Sequence, residues 1–211
     1  MGRSIPPLVG SSAASPPRLL RFGESQVVYE QGDVAKSWFE VQTGIARTCR
    51  FFPDGDRHVI EFYFPGDVFG LERPWREDTA EAVGALEVHR RDHWAVRPVA
   101  DNEEARLEAA LRSTRDYIYL LGHRSAEQRV AAFLLRLAER TGAKREVAVP
   151  MSRADIADHL RLTIHTISRT ISGLCRRGLI RLRNPQAVSI IDEPALRRLA
   201  GETALTPPVA E

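Results

Sequence analysis

From Ser152 to Leu182 the chain reads SRADIADHLRLTIHTISRTISGLCRRGLIRL, a run whose residue types suit contact with a polyanion. Between Met151 and Ile191 there are seven arginines and two aspartates, a net +5, whereas the whole chain carries +2. A basic module on a mildly acidic body fits nucleic acid, although an arginine-rich solvated face has the same composition. On a helix capped by Thr163, the residues Ile164, Ile167, Ile171 and Leu174 form one apolar stripe. Removing that stripe leaves Thr163, His165, Thr166, Ser168, Arg169 and Ser172 on or near the other face. A guanidinium at Arg169 can donate two hydrogen bonds to guanine O6 and N7. The hydroxyls of Ser168 and Thr166 can meet a base or a phosphate, and Arg153, Arg176, Arg177 and Arg181 can hold phosphates.

Those side chains need a frame, and the flanking residues supply one. Ser152 is an N-cap candidate with Asp155 three residues on, a capping box with Asp in place of the usual Glu or Gln. Ile156 and Leu160 share a face of the first helix, Arg161-Leu162 makes a tight link, and Gly178 ends the second helix. The segments 179–182 and 188–191, around Asn184-Pro185, read as a hairpin. Together they predict a winged helix-turn-helix whose recognition helix spans Thr163 to Arg177. The competing reading is a helical hairpin used for protein contact.

Upstream, residues 126–140 read as a helix closed by Thr141-Gly142, and residues 146–149 as a short strand. Leu107, Leu111, Thr114, Ile118 and Leu121 alternate spacings of four and three, a short heptad seam that suits a dimerisation helix over residues 98–123. The alternative is an amphipathic helix packed on its own domain. Residues 19–97 hold short strands separated by turns such as Thr43-Gly44, Pro53-Asp54-Gly55-Asp56 and Pro65-Gly66-Asp67, the pattern of an antiparallel barrel or jelly roll. Residues 1–18, rich in Ser, Pro and Gly, read as a flexible arm. The expected class is therefore α+β, with the winged domain over 124–211.

The two cysteines, Cys49 and Cys175, are far apart and suit neither a disulfide framework nor a cysteine-ligated cluster. Cys175 stands beside Arg176 and Arg177, where neighbouring cations favour a thiolate. It is a candidate redox site, against the alternative of a half-buried structural thiol. His58 with Glu61 offers too few ligands for a metal. No metal or cofactor is expected. Nucleophile-elbow, phosphate-loop and zinc-protease motifs are missing, so an enzyme is not expected. No stretch has the length of a membrane span or the form of a signal peptide, and a cytoplasmic location is expected.

The segments Ser152–Leu160 and Leu162–Thr170 resemble the helix-turn-helix of the Crp–Fnr superfamily of bacterial transcription regulators, in particular its FixK-like branch. Pro65-Gly66-Asp67-Val68-Phe69-Gly70-Leu71 is similar to the signature of that family's cyclic-nucleotide-binding-like barrel. The resemblance implies a homodimer on a palindromic duplex with half-sites similar to TTGA, acting with RNA polymerase, most often as an activator of low-oxygen, nitrogen-fixation or respiratory genes. It also implies base contacts from a Glu, a Ser and an Arg. Ser168 and Arg169 match, and His165 stands at the Glu position, where an imidazole donates more readily than it accepts. Cyclic-nucleotide-binding members clamp the phosphate with an Arg before Ser/Thr-Ala. Here Glu77-Asp78-Thr79-Ala80 puts a carboxylate there, although Arg73 or Arg76 could reach in. The four cysteines of iron–sulfur members are not present. FixK-like members use neither device. A ligand-gated regulator of the same fold and a sensor acting by protein contact are the alternatives.

Overall fold

The computed structural model describes residues 17–92, 108, 111, 114–115, 118, 122 and 125–201. Six strands, β1 (Arg18–Phe22), β2 (Val27–Tyr29), β3 (Ser37–Phe51), β4 (Arg57–Tyr63), β5 (Val68–Phe69) and β6 (Thr79–Asp92), form one antiparallel sheet in the order β1-β6-β3-β4, with β2 on β6 and β5 on β3, as the barrel domain. β1 starts at Arg18, inside the segment expected to be an arm, and residues 1–16 of that arm lie outside the described residues. The expected break at Thr43-Gly44 is a bulge inside one long strand. β3 runs unbroken past it, and its pairing with β6 shifts register between Thr43 and Ile45. Gly44 is required there: its φ is +81°, and a Cβ would lie 2.1 Å from the Ala85 carbonyl oxygen. The turn after Phe52 behaves as expected, with Phe52 N donating to Asp56 O at 2.9 Å.

Alternation along β3 and β6 sends Val41, Ala46, Ala82, Leu86 and Val88 into the barrel, where Phe39 stacks on Phe69 at 5.3 Å and on Tyr29 at 5.7 Å. The outward side of β3 and β4 is also buried. Cys49, Val59, Phe62 and Phe64 share a second core with the C-terminal domain.

That domain begins with α1 (Ala126–Thr141), opened by a Ser125–Gln128 capping box and closed by left-handed Gly142. β7 (Glu146–Ala148), α2 (Arg153–Leu160), α3 (Ile164–Arg176), β8 (Ile180–Asn184), β9 (Ala187–Ile190) and α4 (Glu193–Ala200) follow. β7, β9 and β8 form a small antiparallel sheet in that order. The sequence reasoning did not anticipate α4, though its signals were present: Asp192 caps it, Pro194 lies in its first turn and left-handed Gly201 ends it. Among the described residues, no helix is long and apolar enough to cross a membrane.

The barrel docks directly on the C-terminal domain. Phe62 meets Phe133 edge-on at 6.5 Å and His159 at 5.1 Å. Glu61 accepts from Arg136 at 3.1 Å, and Arg140 pairs with Asp67 while its guanidinium lies over the Phe64 ring. Burying a phenylalanine such as Phe62 stabilises by about 1.5–3 kcal/mol. This junction therefore orients two domains with apolar area and charge together.

Candidate nucleic-acid interface

The first helix of the pair, α2, has a complete capping box. Asp155 N donates to Ser152 Oγ at 3.0 Å, and the Asp155 carboxylate accepts back from Ser152 N. The link is made by Arg161, a non-glycine residue held at φ +55°, a conformation that costs about 1–2 kcal/mol outside glycine. It turns the chain so that Leu162 N reaches Ala157 O at 2.9 Å. Thr163 then caps α3: its hydroxyl accepts from Thr166 N at 3.1 Å and shares a hydrogen bond with the Thr166 hydroxyl at 2.8 Å. Ile167, Thr170, Ile171 and Leu174 are the buried face of α3 and pack with Ile156 and Leu160 of α2. The two helices share one core.

The expected stripe is wrong at its first position. Ile164 is 50% exposed, because the first turn of α3 projects beyond the core formed by its later turns. The outward face thus carries Ile164, His165, Ser168, Arg169, Ser172 and Arg176, with Thr166 half-buried at its margin. The signal for Ile164 was available, since a residue directly after an N-cap precedes the first full turn. Its methyl groups suit contact with a thymine methyl. Ser168 and Ser172 donate to the carbonyls of Ile164 and Ser168, at 3.0 and 2.9 Å, which leaves their lone pairs to accept from a base amino group.

The expected phosphate contacts divide. Arg176 and Arg181 are exposed beside the helix and on the wing. Arg177 is exposed but already bonded to Glu127 at 2.8 Å. Arg153 is half-buried, and burial lowers its pKa against the opposing influence of Cys175. Cys175 is itself half-buried and lines a shallow groove of about 360 Å³ with Gly178, Ile180, Arg181, Leu182 and Ile191. Cys49 is a different kind of thiol: wholly buried, with its pKa pushed up to about 12 by burial and then by Glu81.

Of the expected dimer seam, Leu111, Thr114 and Ile118 are helical and exposed, the two apolar residues by 53% and 66%. Leu107 and Leu121 lie outside the described residues. Inside the barrel, the Arg76 guanidinium lies 4.0 Å over the Tyr29 ring. It donates to Gly70 O at 2.7 Å and to Ser37 O, with Glu72 3.4 Å away. Its side chain is 2% exposed. Asp78, at the position where a phosphate clamp would stand, is bonded by Arg50 at 2.7 Å.

A capped helix with an exposed polar face and an adjoining three-stranded sheet stands beside an antiparallel β domain. Residues 128–199 match the Crp-like helix-turn-helix domain, and residues 19–96 match the cyclic nucleotide-binding domain. Nitrogen fixation regulation protein FixK of Rhizobium meliloti is 36% identical over 198 residues, covering 90% of this chain and 92% of that protein. This chain belongs to the FixK-like branch of the Crp–Fnr family. The transcriptional activatory protein AadR of Rhodopseudomonas palustris is also 36% identical, over 86% of this chain and 80% of its own length. The solved structure of FixK2 from Bradyrhizobium japonicum superposes with a TM-score of 0.80 at 30% identity, covering 88% of this chain and 98% of FixK2. As a Crp–Fnr member with a Crp-like helix-turn-helix, the protein is a DNA-binding transcription regulator. Its barrel is cyclic-nucleotide-binding-like in fold, and Arg76 occupies the interior.

Proposed function

We propose that this regulator binds a palindromic duplex as a homodimer without a cyclic nucleotide or an iron–sulfur cluster. On this proposal it works in the cytoplasm as an activator, with RNA polymerase, of low-oxygen, nitrogen-fixation or respiratory genes. The observation that carries the DNA contact is the exposed face of α3, where Ile164, His165, Ser168 and Arg169 project together from the N-terminal half of a capped helix. That half is the part of a recognition helix that meets base edges in the major groove. Arg169 reads a guanine, Ser168 accepts from a base amino group and His165 donates to a purine acceptor. Arg153, Thr163, Thr166, Arg176, Arg177 and Arg181 contact the backbone, with Arg177 exchanging Glu127 for a phosphate. The exposed Leu111 and Ile118 support the paired helices of a dimer.

Independence from a cyclic nucleotide is supported by Arg76, which is buried against Tyr29 and Phe39, and by the carboxylate of Asp78. The nitrogen-fixation and activator roles are supported by the names of the two relatives, FixK and AadR. Cys175 is the proposed redox position: peroxide would convert its thiol to a sulfenic acid and release water, adding polar bulk beside the recognition helix.

The test is selection of bound sequences from a random duplex library, with no ligand added, with and without peroxide. Paired half-sites recovered from ligand-free protein support the proposal. Recovery only after a small molecule is added favours a ligand-gated regulator, and no recovery at moderate salt favours a protein-contact sensor. The same half-site for wild type and His165→Glu would show that His165 reads nothing, and an unchanged yield after peroxide would remove Cys175 from the scheme.

A further inference from the structure

The ionic contacts between barrel and helix-turn-helix converge on Asp155. Its side chain, 5% exposed, sits in the first turn of α2. Oδ2 accepts from Ser152 Oγ at 2.8 Å and from Arg47 Nη1 of β3 at 2.8 Å. Oδ1 accepts from Arg57 Nη2 of β4 at 2.9 Å. Arg57 also closes a fork on Asp158, with Nε and Nη2 at 3.1 and 2.7 Å from one oxygen. Arg47 is fixed from its other side, where Nε and Nη2 donate to Glu81 of β6 at 2.9 and 2.6 Å. Two strands and one helix are therefore tied at a single carboxylate, which is also the capping-box partner of Ser152 in α2, and a third strand joins through Glu81.

Buried ion pairs add little net stability compared with apolar packing, so stability alone does not account for this cluster. What they add is direction: forked, charge-assisted hydrogen bonds tolerate little rotation, whereas apolar contact is non-directional. α2 and α3 share one buried core. The angle imposed on α2 is therefore the angle at which the recognition helix leaves the barrel. In a two-fold dimer that angle determines how far apart the two recognition helices lie. The separation must match one turn of duplex, roughly 34–36 Å, and a change of about 3.4 Å shifts it by one base pair.

We propose that the Asp155 cluster sets the half-site spacing this regulator accepts, with Asp155, Arg47 and Arg57 as positioning residues rather than DNA contacts. The proposal rests on the reading of the protein as a dimer on paired half-sites. The test uses full-length protein and duplexes that carry the half-sites selected by the wild type, separated by spacers of varied length. Arg57→Met, and Arg47→Met combined with Glu81→Gln, loosen the cluster while leaving the Ser152–Asp155 capping box and the recognition helix intact. The wild type is expected to take one spacer length. Both variants are expected to accept spacers one base pair longer and shorter with less than tenfold loss, with the half-site sequence unchanged. Because the Arg57 side chain is 28% exposed, Arg57→Met alone decides the matter if the double variant does not fold. An unchanged spacer profile overturns the proposal, as does uniform weakening at every spacer. If the wild type selects unpaired half-sites, the dimer reading itself fails, and that outcome is visible before any variant is made.

Discussion

His159 lies at the junction of barrel and C-terminal domain, and its protonation should unlock that junction in acid. Its ring is wedged between Phe62 and Phe133 at 5.1 and 5.9 Å, and Nδ1 lies 3.4 Å from the Val59 carbonyl oxygen. Burial lowers its pKa from 6.5 to about 4. Glu61 and the backbone at Val59 and Ile60 favour the charged form and Arg136 opposes it, but none outweighs burial. With a depressed folded-state pKa, the unfolded chain binds the extra proton between pH 6.5 and 4. The stabilisation is thus complete above pH 6.5 and is lost as pH falls toward 4. The full difference corresponds to about 3 kcal/mol, of which about 2 kcal/mol is already lost at pH 5. The perturbation is His159→Phe, which keeps a ring in the pocket and removes the titration. Urea unfolding of both proteins at pH 7.5 and 5.0 gives the difference in pH dependence. Ionisable groups remote from the ring are common to both chains and cancel. Wild type should lose about 2 kcal/mol more than the variant between these pH values. Equal losses would refute the buried, neutral imidazole.

Arg169→Ala should remove about 1–3 kcal/mol of discrimination at one guanine of the half-site, read by competition with duplexes substituted at that base. Leu111→Glu with Ile118→Glu should halve the mass in sedimentation and lower affinity for a paired site by roughly 100-fold or more, the avidity of two linked half-site contacts. Gly44→Ala should destabilise the barrel by at least about 2 kcal/mol, because a Cβ at φ +81° meets the Ala85 carbonyl, seen as a lower urea midpoint. Arg161→Gly should raise stability by about 1 kcal/mol by relieving φ +55° at the turn between α2 and α3, seen as a higher midpoint with the same operator sequence.

The winged domain was legible because its signals are local. Ser152, Thr163, Gly142 and Gly178 cap or end helices within one turn of the residues they serve, and the Ile167–Ile171–Leu174 stripe follows from helical period alone. The barrel strands were legible as segments but not in their length. Thr43-Gly44 has the composition of a turn, and only the closeness of Ala85 on the neighbouring strand shows that the glycine allows two backbones to approach. The remaining features depend on contacts between residues distant in sequence. Arg47 and Asp155 are 108 positions apart, and nothing near either residue signals the other. Ser37 and Arg76 likewise meet only once the β domain has folded. Ile164 was misplaced for a smaller reason: periodicity assigns a face to a residue without saying whether a neighbour lies opposite it.

The guanidinium of Arg76 inside the barrel bears on how such a regulator carries information. A free metabolite competing for that space would face a tethered group at an effective concentration of roughly millimolar or above. On the effector-independent reading, each molecule leaves the ribosome already in its working state. The operator then reports copy number rather than the level of a metabolite. Apart from oxidation at Cys175, commands then arrive through synthesis of the chain, and the time needed to cancel one is set by growth dilution and proteolysis rather than by dissociation of a ligand.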